Sequence, residues 1–246
     1  MRLALLLAVL SLGLSLDGLA SPASAAGTAL RWTNCVADGG TSNLVFACNT
    51  NTGFGALVPS FVLDAPFTVA SIEGVVDVVS ASTVLPAWWE LQAGCRSGSL
   101  SATLSPVGPV ACQGWTIFLT TTGINSIVVG ANGTNTVRIT FSSSLPGSPG
   151  VDLSAGIEYL FAALRLNFNR TVGTPSCSGC DEGACLTLNG ITLSRPGGSL
   201  QLTTPFSGAD GNHVTWQGGG SGPGGSCSVV SPARRSAWGA IKSLYR

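Results

Sequence analysis

Between residues 27 and 217 the apolar positions recur mainly with period two. Val137, Ile139 and Phe141 alternate with Arg138, Thr140 and Ser142, and Leu164, Leu166 and Phe168 alternate with Arg165, Asn167 and Asn169. Each such segment has one apolar and one polar face, the pattern of a half-buried strand. Asn189-Gly190 stands between Leu186-Thr187-Leu188 and Ile191-Thr192-Leu193, and Asn132-Gly133 stands between Ile127-Val128-Val129 and Val137-Arg138-Ile139. Asn-Gly supplies the positive φ of a tight turn, so two hairpins are predicted. Further strands are expected at 30–36, 43–48, 56–63, 68–80, 115–122 and 211–216, with turns at Asp38-Gly39, Gly53 and Asp210-Gly211. The run from Ile157 to Leu166 is apolar on both faces. We assign it as a central strand, because its alternation continues in phase into Leu164 and Leu166. No repeat of 20 to 50 residues emerges, which argues against a propeller or solenoid. About ten strands with regular turns predict an all-β fold, a single disulfide-stabilised β-sandwich, with jelly-roll and immunoglobulin-like topologies both open.

The two ends break this pattern. Arg2 precedes an apolar stretch from Leu3 to Leu16, and Ala23 and Ala25 form an A-x-A step, so residues 1–25 read as a secretory signal cut after Ala25. That stretch is shorter than the ~20 apolar residues a membrane span needs. The other long apolar region, Leu57 to Leu85, is interrupted by Pro59, Asp64, Pro66, Glu73 and Asp77, so no transmembrane span is expected. The domain is drawn at 26–217, followed by a Gly-rich linker at 218–235 and a tail at 236–246. In the tail Trp238, Ile241 and Tyr245 recur at helical spacing with Leu244 beside them, which describes a flexible amphipathic appendage.

Charge separates body from tail. Only 9% of the chain is charged, with eleven residues of each sign, which excludes a nucleic-acid binder of the basic-patch type. Residues 27–226 hold ten acids and six arginines, net −4, whereas 227–246 hold Arg234, Arg235, Lys242 and Arg246 and no acid, net +4. The tail can dock on its own domain or be recognised by something else. An 11-residue helix is marginal alone in water, and a basic, aromatic cluster kept behind a Gly linker favours recognition, with Trp238, Ile241, Lys242, Leu244, Tyr245 and Arg246 as the residues read. The run Trp238-Gly239-Ala240-Ile241-Lys242-Ser243-Leu244-Tyr245-Arg246 resembles the ending of uncharacterised secreted bacterial β-rich proteins. The body resembles them too, at Phe46-Ala47-Cys48-Asn49, Leu85-Pro86-Ala87-Trp88-Trp89, Gly94-Cys95-Arg96-Ser97-Gly98-Ser99-Leu100 and Val214-Thr215-Trp216-Gln217. The accessible linker, apolar anchors and four cations point to an export or surface-attachment machine as partner of the tail. The resemblance implies a secreted, extracellular or cell-surface location. It implies no activity.

The eight cysteines, Cys35, Cys48, Cys95, Cys112, Cys177, Cys180, Cys185 and Cys227, form an even set in an exported chain, which points to disulfides. The economical pairing joins Cys35 to Cys48 across a hairpin and Cys95 to Cys112 around a Gly/Ser/Pro loop. A bridge from Cys227 would staple the linker back to the body. The competing reading is a zinc site from Cys177, Cys180, Cys185 and a fourth thiolate, which an oxidising compartment disfavours. A redox role for Cys177-Ser178-Gly179-Cys180 lacks the helix N-terminus that would activate the thiol. No metal or other cofactor is therefore expected.

His213 is the one histidine, and no G-x-S-x-G elbow is present, so a hydrolase triad has little to draw on. Alternation makes His213 an exposed strand residue. Among the acids Glu73, Asp77, Glu90 and Glu158, Glu73 and Asp77 share one strand face about 13 Å apart, too far for a glycosidase pair, and read as charges guarding an edge strand. An enzyme is thus the less favoured class. Trp88 and Trp89, with Glu90, are the ligand-binding candidates in the body, for a glycan stacked on an exposed ring. Extended backbone would turn one of the two tryptophans inward and allow the other to be exposed, and core packing is favoured over ligand stacking, since Trp is commonly mostly buried. The functional expectation is a secreted structural or interaction protein with a C-terminal sorting or anchoring tail; the alternative is a carbohydrate-binding module or glycan-acting enzyme.

Overall fold

A computed structural model describes residues 25–104, 112–114, 121–145, 149–206, 209, 211–219 and 227. Residues 1–24 of the segment expected to be a signal, most of the linker and the whole tail 236–246 lie outside the described residues, as does most of the strand expected at 115–122. The described fold is all-β. Its strands are β1 (Gly27–Trp32), β2 (Asn43–Leu44), β3 (Phe54–Val62), β4 (Phe67–Val69), β5 (Ser71–Ser80), β6 (Leu100–Thr103), β7 (Gln113–Gly114), β8 (Thr121–Val129), β9 (Thr136–Ser144), β10 (Val151–Leu153), β11 (Glu158–Leu160), β12 (Ala163–Asn167), β13 (Ala184–Arg195), β14 (Gly198–Leu202) and β15 (His213–Trp216). No helix among these residues is long and apolar enough to cross a membrane.

One six-stranded sheet is organised around β3. β1 runs antiparallel along one edge of β3, while β12 and β11 pair in turn with the other edge, β6 flanking β12 and β7 flanking β11. The run assigned to a central strand is indeed strand, but interrupted. Leu160 pairs with Ser60 and Leu164 with Leu57, so three residues, Phe161 to Ala163, span the two of Val58 and Pro59. Pro59 has no amide to donate to a ladder, and an extra residue opposite it lets the sheet continue past the gap.

The seven-stranded sheet runs β2-β15-β13-β5-β9-β8, with β14 sharing the β15 edge of β13. In β5 the alternation is regular: Ile72, Gly74, Val76 and Val78 are buried, while Glu73 and Asp77 face outward. A small third sheet pairs β4 with β10. One apolar cluster joins the large sheets, Leu30, Leu57, Phe61 and Leu164 from the first meeting Val76, Val78, Phe141, Leu186 and Leu188 from the second.

Several expectations are corrected here. Asn189-Gly190 does not turn the chain. β13 passes straight through it, and the register against β5 shifts between Leu188 and Gly190, so Asn189 is the extra residue of a bulge. The hairpin that leaves β13 turns instead at Pro196-Gly197, where Gly197 has φ of 85°, the proline-then-glycine arrangement of a type II turn. Asn132-Gly133 does lie in the β8–β9 hairpin, inside a longer loop from Gly130 to Asn135.

All eight cysteines are in disulfides, four in number: Cys35–Cys112, Cys48–Cys180, Cys95–Cys177 and Cys185–Cys227. The local pairs Cys35–Cys48 and Cys95–Cys112 do not form. Cys35 begins a 3-10 turn, Val36–Asp38, rather than a hairpin, and Cys48 is carried away to the end of β15, where Gln217 holds Phe46. The staple from Cys227 exists, and its anchor is Cys185 on β13.

Candidate functional site

The segment Leu85 to Glu90 begins with Pro86, whose extended backbone (φ −67°, ψ 152°) leads into one 3-10 turn, Ala87–Trp89. Trp89 N donates to Pro86 O at 2.9 Å and Trp88 N to Ser178 O at 2.9 Å. Successive side chains of a 3-10 turn are ~120° apart rather than opposed, so neighbouring tryptophans can both turn inward. They do: both are buried, as core packing requires, and the ring that extended backbone would have left outside is inward as well. Neither offers a face for a sugar. Glu90 stays at the rim, where its carboxylate accepts a long bond of 3.4 Å from Cys95 N.

The two rings belong to an aromatic cluster centred on Trp216. Trp88 stacks on Trp216 with centroids 5.7 Å apart, Trp89 meets it edge-on at 5.8 Å, and Trp32, Phe46 and Phe168 pack around it at about 6 Å. Trp216 Nε1 donates to Cys180 O at 2.7 Å and Trp32 Nε1 to Thr215 O at 2.8 Å. Gln217 closes the edge like a short strand: its Nε2 donates to Phe46 O at 2.5 Å and its Oε1 accepts from Phe46 N at 3.2 Å.

The sequence reasoning missed Arg96. Its guanidinium carbon lies 3.4 Å above the Trp88 ring centroid, and the side chain is fully buried with no ion-pair partner among the described residues. Nη2 donates to Asn167 O, while Nε and Nη1 have no hydrogen-bond partner. Burial pushes its pKa down to about 10. Lone arginines are normally on the surface, so the Gly94-to-Leu100 context gave the only signal: Arg96 sits among small residues that let backbone close over it. The four body segments singled out in the sequence, around Phe46, Trp88, Arg96 and Trp216, therefore meet in this one cluster, where they pack on one another.

The remaining candidates are dispersed. Asp77 is held by Arg138 through two bonds of 2.8 and 2.7 Å and by Asn132 Nδ2 at 2.7 Å. Hydrogen bonding to Asp77 raises the Arg138 pKa. Because β5 is flanked by β13 and β9, Glu73 and Asp77 guard no edge; they lie on the outer face of an interior strand. Glu158 accepts from Val36 N at 3.0 Å, Ala37 N at 2.8 Å and Ser60 Oγ at 2.5 Å, which ties the 3-10 turn Val36–Asp38 to β3 through β11. His213 is half-buried rather than exposed, and burial, followed by the nearby charge of Arg31, lowers its pKa.

Cys177, Cys180 and Cys185 bond to three different partners, so the zinc set is not assembled and Cys177-Cys180 is no dithiol pair. Cys35, Asp38 and Cys112 cluster as metal ligands would, but both sulfurs are joined to each other and Asp38 Oδ2 accepts from Cys112 N at 3.0 Å. A cavity of about 10 Å³, walled by Trp32, Trp89, Leu91 and Leu164 among others, has room for about one water and is apolar. No protein-family model, curated protein or solved structure is significantly similar to this chain.

Proposed function

We propose that the chain is a secreted or surface-associated structural or interaction protein, its two large sheets forming one sandwich and its C-terminal tail acting as a sorting or anchoring signal. The four disulfides carry this reading. Thiols are kept reduced in the cytosol, so a chain with every cysteine bonded across 42 to 132 residues suits an oxidising, extracytoplasmic space. The bond from Cys185 to Cys227 supports the role of the tail. It holds the chain to the body at the point where net charge changes from −4 to +4, leaving 19 residues beyond it. Apolar anchors at Trp238, Ile241, Leu244 and Tyr245 with four cations suit an acidic groove on a protein receptor better than lipid, which so short a helix would hold weakly.

Deleting residues 236–246 tests the reading. The expected result is an unchanged melting temperature with the protein moved to a different extracytoplasmic fraction. A lower melting temperature with unchanged location makes the tail a docked element of the domain and ends the sorting proposal.

A further inference from the structure

Almost every edge of the two large sheets is short or covered. β1 is bridged by Pro205 and Thr41, β6 and β14 have four and five residues, and β2 and β7 have two each. β8 is different. It is nine residues long, and among the described residues it pairs with β9 alone. It contains no charged residue and no proline, two devices by which edge strands discourage further pairing.

Gly130 N donates to Thr136 O at 2.8 Å, which fixes the phase of the β8–β9 ladder. The N–H and C=O groups of Ile127 and Val129 then point away from β9, to the open edge. Val128 lies beside Arg138 on the outer face, while Ile127 and Val129 lie beside Ile139 and Val137 on the core face. Val128 and Val129 are each 46% exposed. This edge therefore couples unpaired backbone with apolar side chains on both faces. The bulge at Asn125 limits the regular stretch on one side and the Gly130 turn limits it on the other.

We propose that β8 is a dimer seam, at which a second copy of this chain adds its own β8 antiparallel about a two-fold axis at Val128. The stretch is self-complementary about that axis. The outward backbone groups of Ile127 meet those of Val129 in the second copy, and Val128 faces its own mate at a non-hydrogen-bonded position, where side chains approach most closely. Both exposed valines are covered. No like charges oppose, since the nearest, Arg138, lies one strand back and is bound to Asp77. A two-fold pairing of this kind closes on itself and gives a dimer rather than a fibre.

Sedimentation velocity on the full chain across a dilution series tests the seam. The wild type should show a dimer that dissociates on dilution, and Val128→Lys should halve the apparent mass with the melting temperature unchanged, the site being exposed. Val128→Cys should give a disulfide-linked dimer on a non-reducing gel, and Val84→Cys, at a position 65% exposed on another loop, should not. A wild type that stays monomeric throughout overturns the proposal, including one whose β8 edge captures an extended peptide instead. So does a dimer that survives Val128→Lys and is not cross-linked through Val128→Cys.

Discussion

Arg96 is a cation held away from water by an aromatic face and one carbonyl, with two of its three nitrogens unpartnered. A buried charge without a counter-ion is costly, so what the side chain contributes is mainly volume and the contact with Trp88. Arg96→Ala should destabilise by on the order of 3 kcal/mol through the void left beside Trp88. Arg96→Met, which keeps most of the volume and removes the charge, should stay within about 1.5 kcal/mol of wild type. Urea unfolding followed by tryptophan fluorescence separates the two; equal losses would mean that the charge itself holds the cluster. His213 gives a pH dependence. Its folded pKa is below the ordinary 6.5, so as pH falls below 6.5 the unfolded chain takes up the proton first. The stability it contributes is whole above 6.5 and is lost as pH drops through that window. His213→Gln should flatten the slope of unfolding free energy against pH there, and an unaltered slope would show that other groups set it.

Within the strands, Gly74 shows what the alternation in the sequence conceals. It occupies a core-facing position of β5 directly opposite Phe141 on β9, and the Phe141 ring lies over it so closely that an added Cβ would come 2.5 Å from Cζ. Gly74→Ala should therefore cost about 1–3 kcal/mol by overpacking, read as a fall in melting temperature, despite the gain in strand propensity. A neutral or stabilising result would show that Phe141 can swing aside. The period-two pattern made β5, β9 and β12 legible, because each alternates buried apolar positions with less buried, mostly polar ones. Turn chemistry was less transparent. The same Asn-Gly pair lies in a hairpin at Asn132 and in a bulge at Asn189, since an irregularity that suits a turn also suits an extra residue in a straight strand. The bulge is what lets Leu188 and Ile191, three apart, both reach the core. Trp88-Trp89 was legible as core, but a 3-10 turn, standing where extended backbone would have left one ring outside, is what buries both.

At the scale of the whole chain, an even count of cysteines made disulfides legible, but their partners follow from topology. Cys48 finds Cys180 across 132 residues only because β2 lies parallel to β15. In the loop-entropy picture, closing 132 residues restrains the unfolded chain by about 5 kcal/mol and closing 42 by about 4 kcal/mol. The two bonds nonetheless differ in the folded state. Cys180 O accepts from both Trp216 Nε1 and Gln217 Nε2, so the Cys48–Cys180 bridge is tied into the aromatic cluster. Cys227 lies beyond β15, the last described strand, and without its bond it can part from Cys185 while the sheets persist. That release returns entropy to the native state and offsets much of what the unfolded state regains. The Cys185→Ser/Cys227→Ser pair should accordingly cost well under 4 kcal/mol and leave tryptophan emission unchanged. Cys48→Ser/Cys180→Ser should cost several kcal/mol and red-shift the emission as the Trp216 cluster opens to water. Chemical denaturation of both double variants reads this directly, and equal losses would mean that the bond at Cys227 holds the folded body as firmly as the one at Cys48 does.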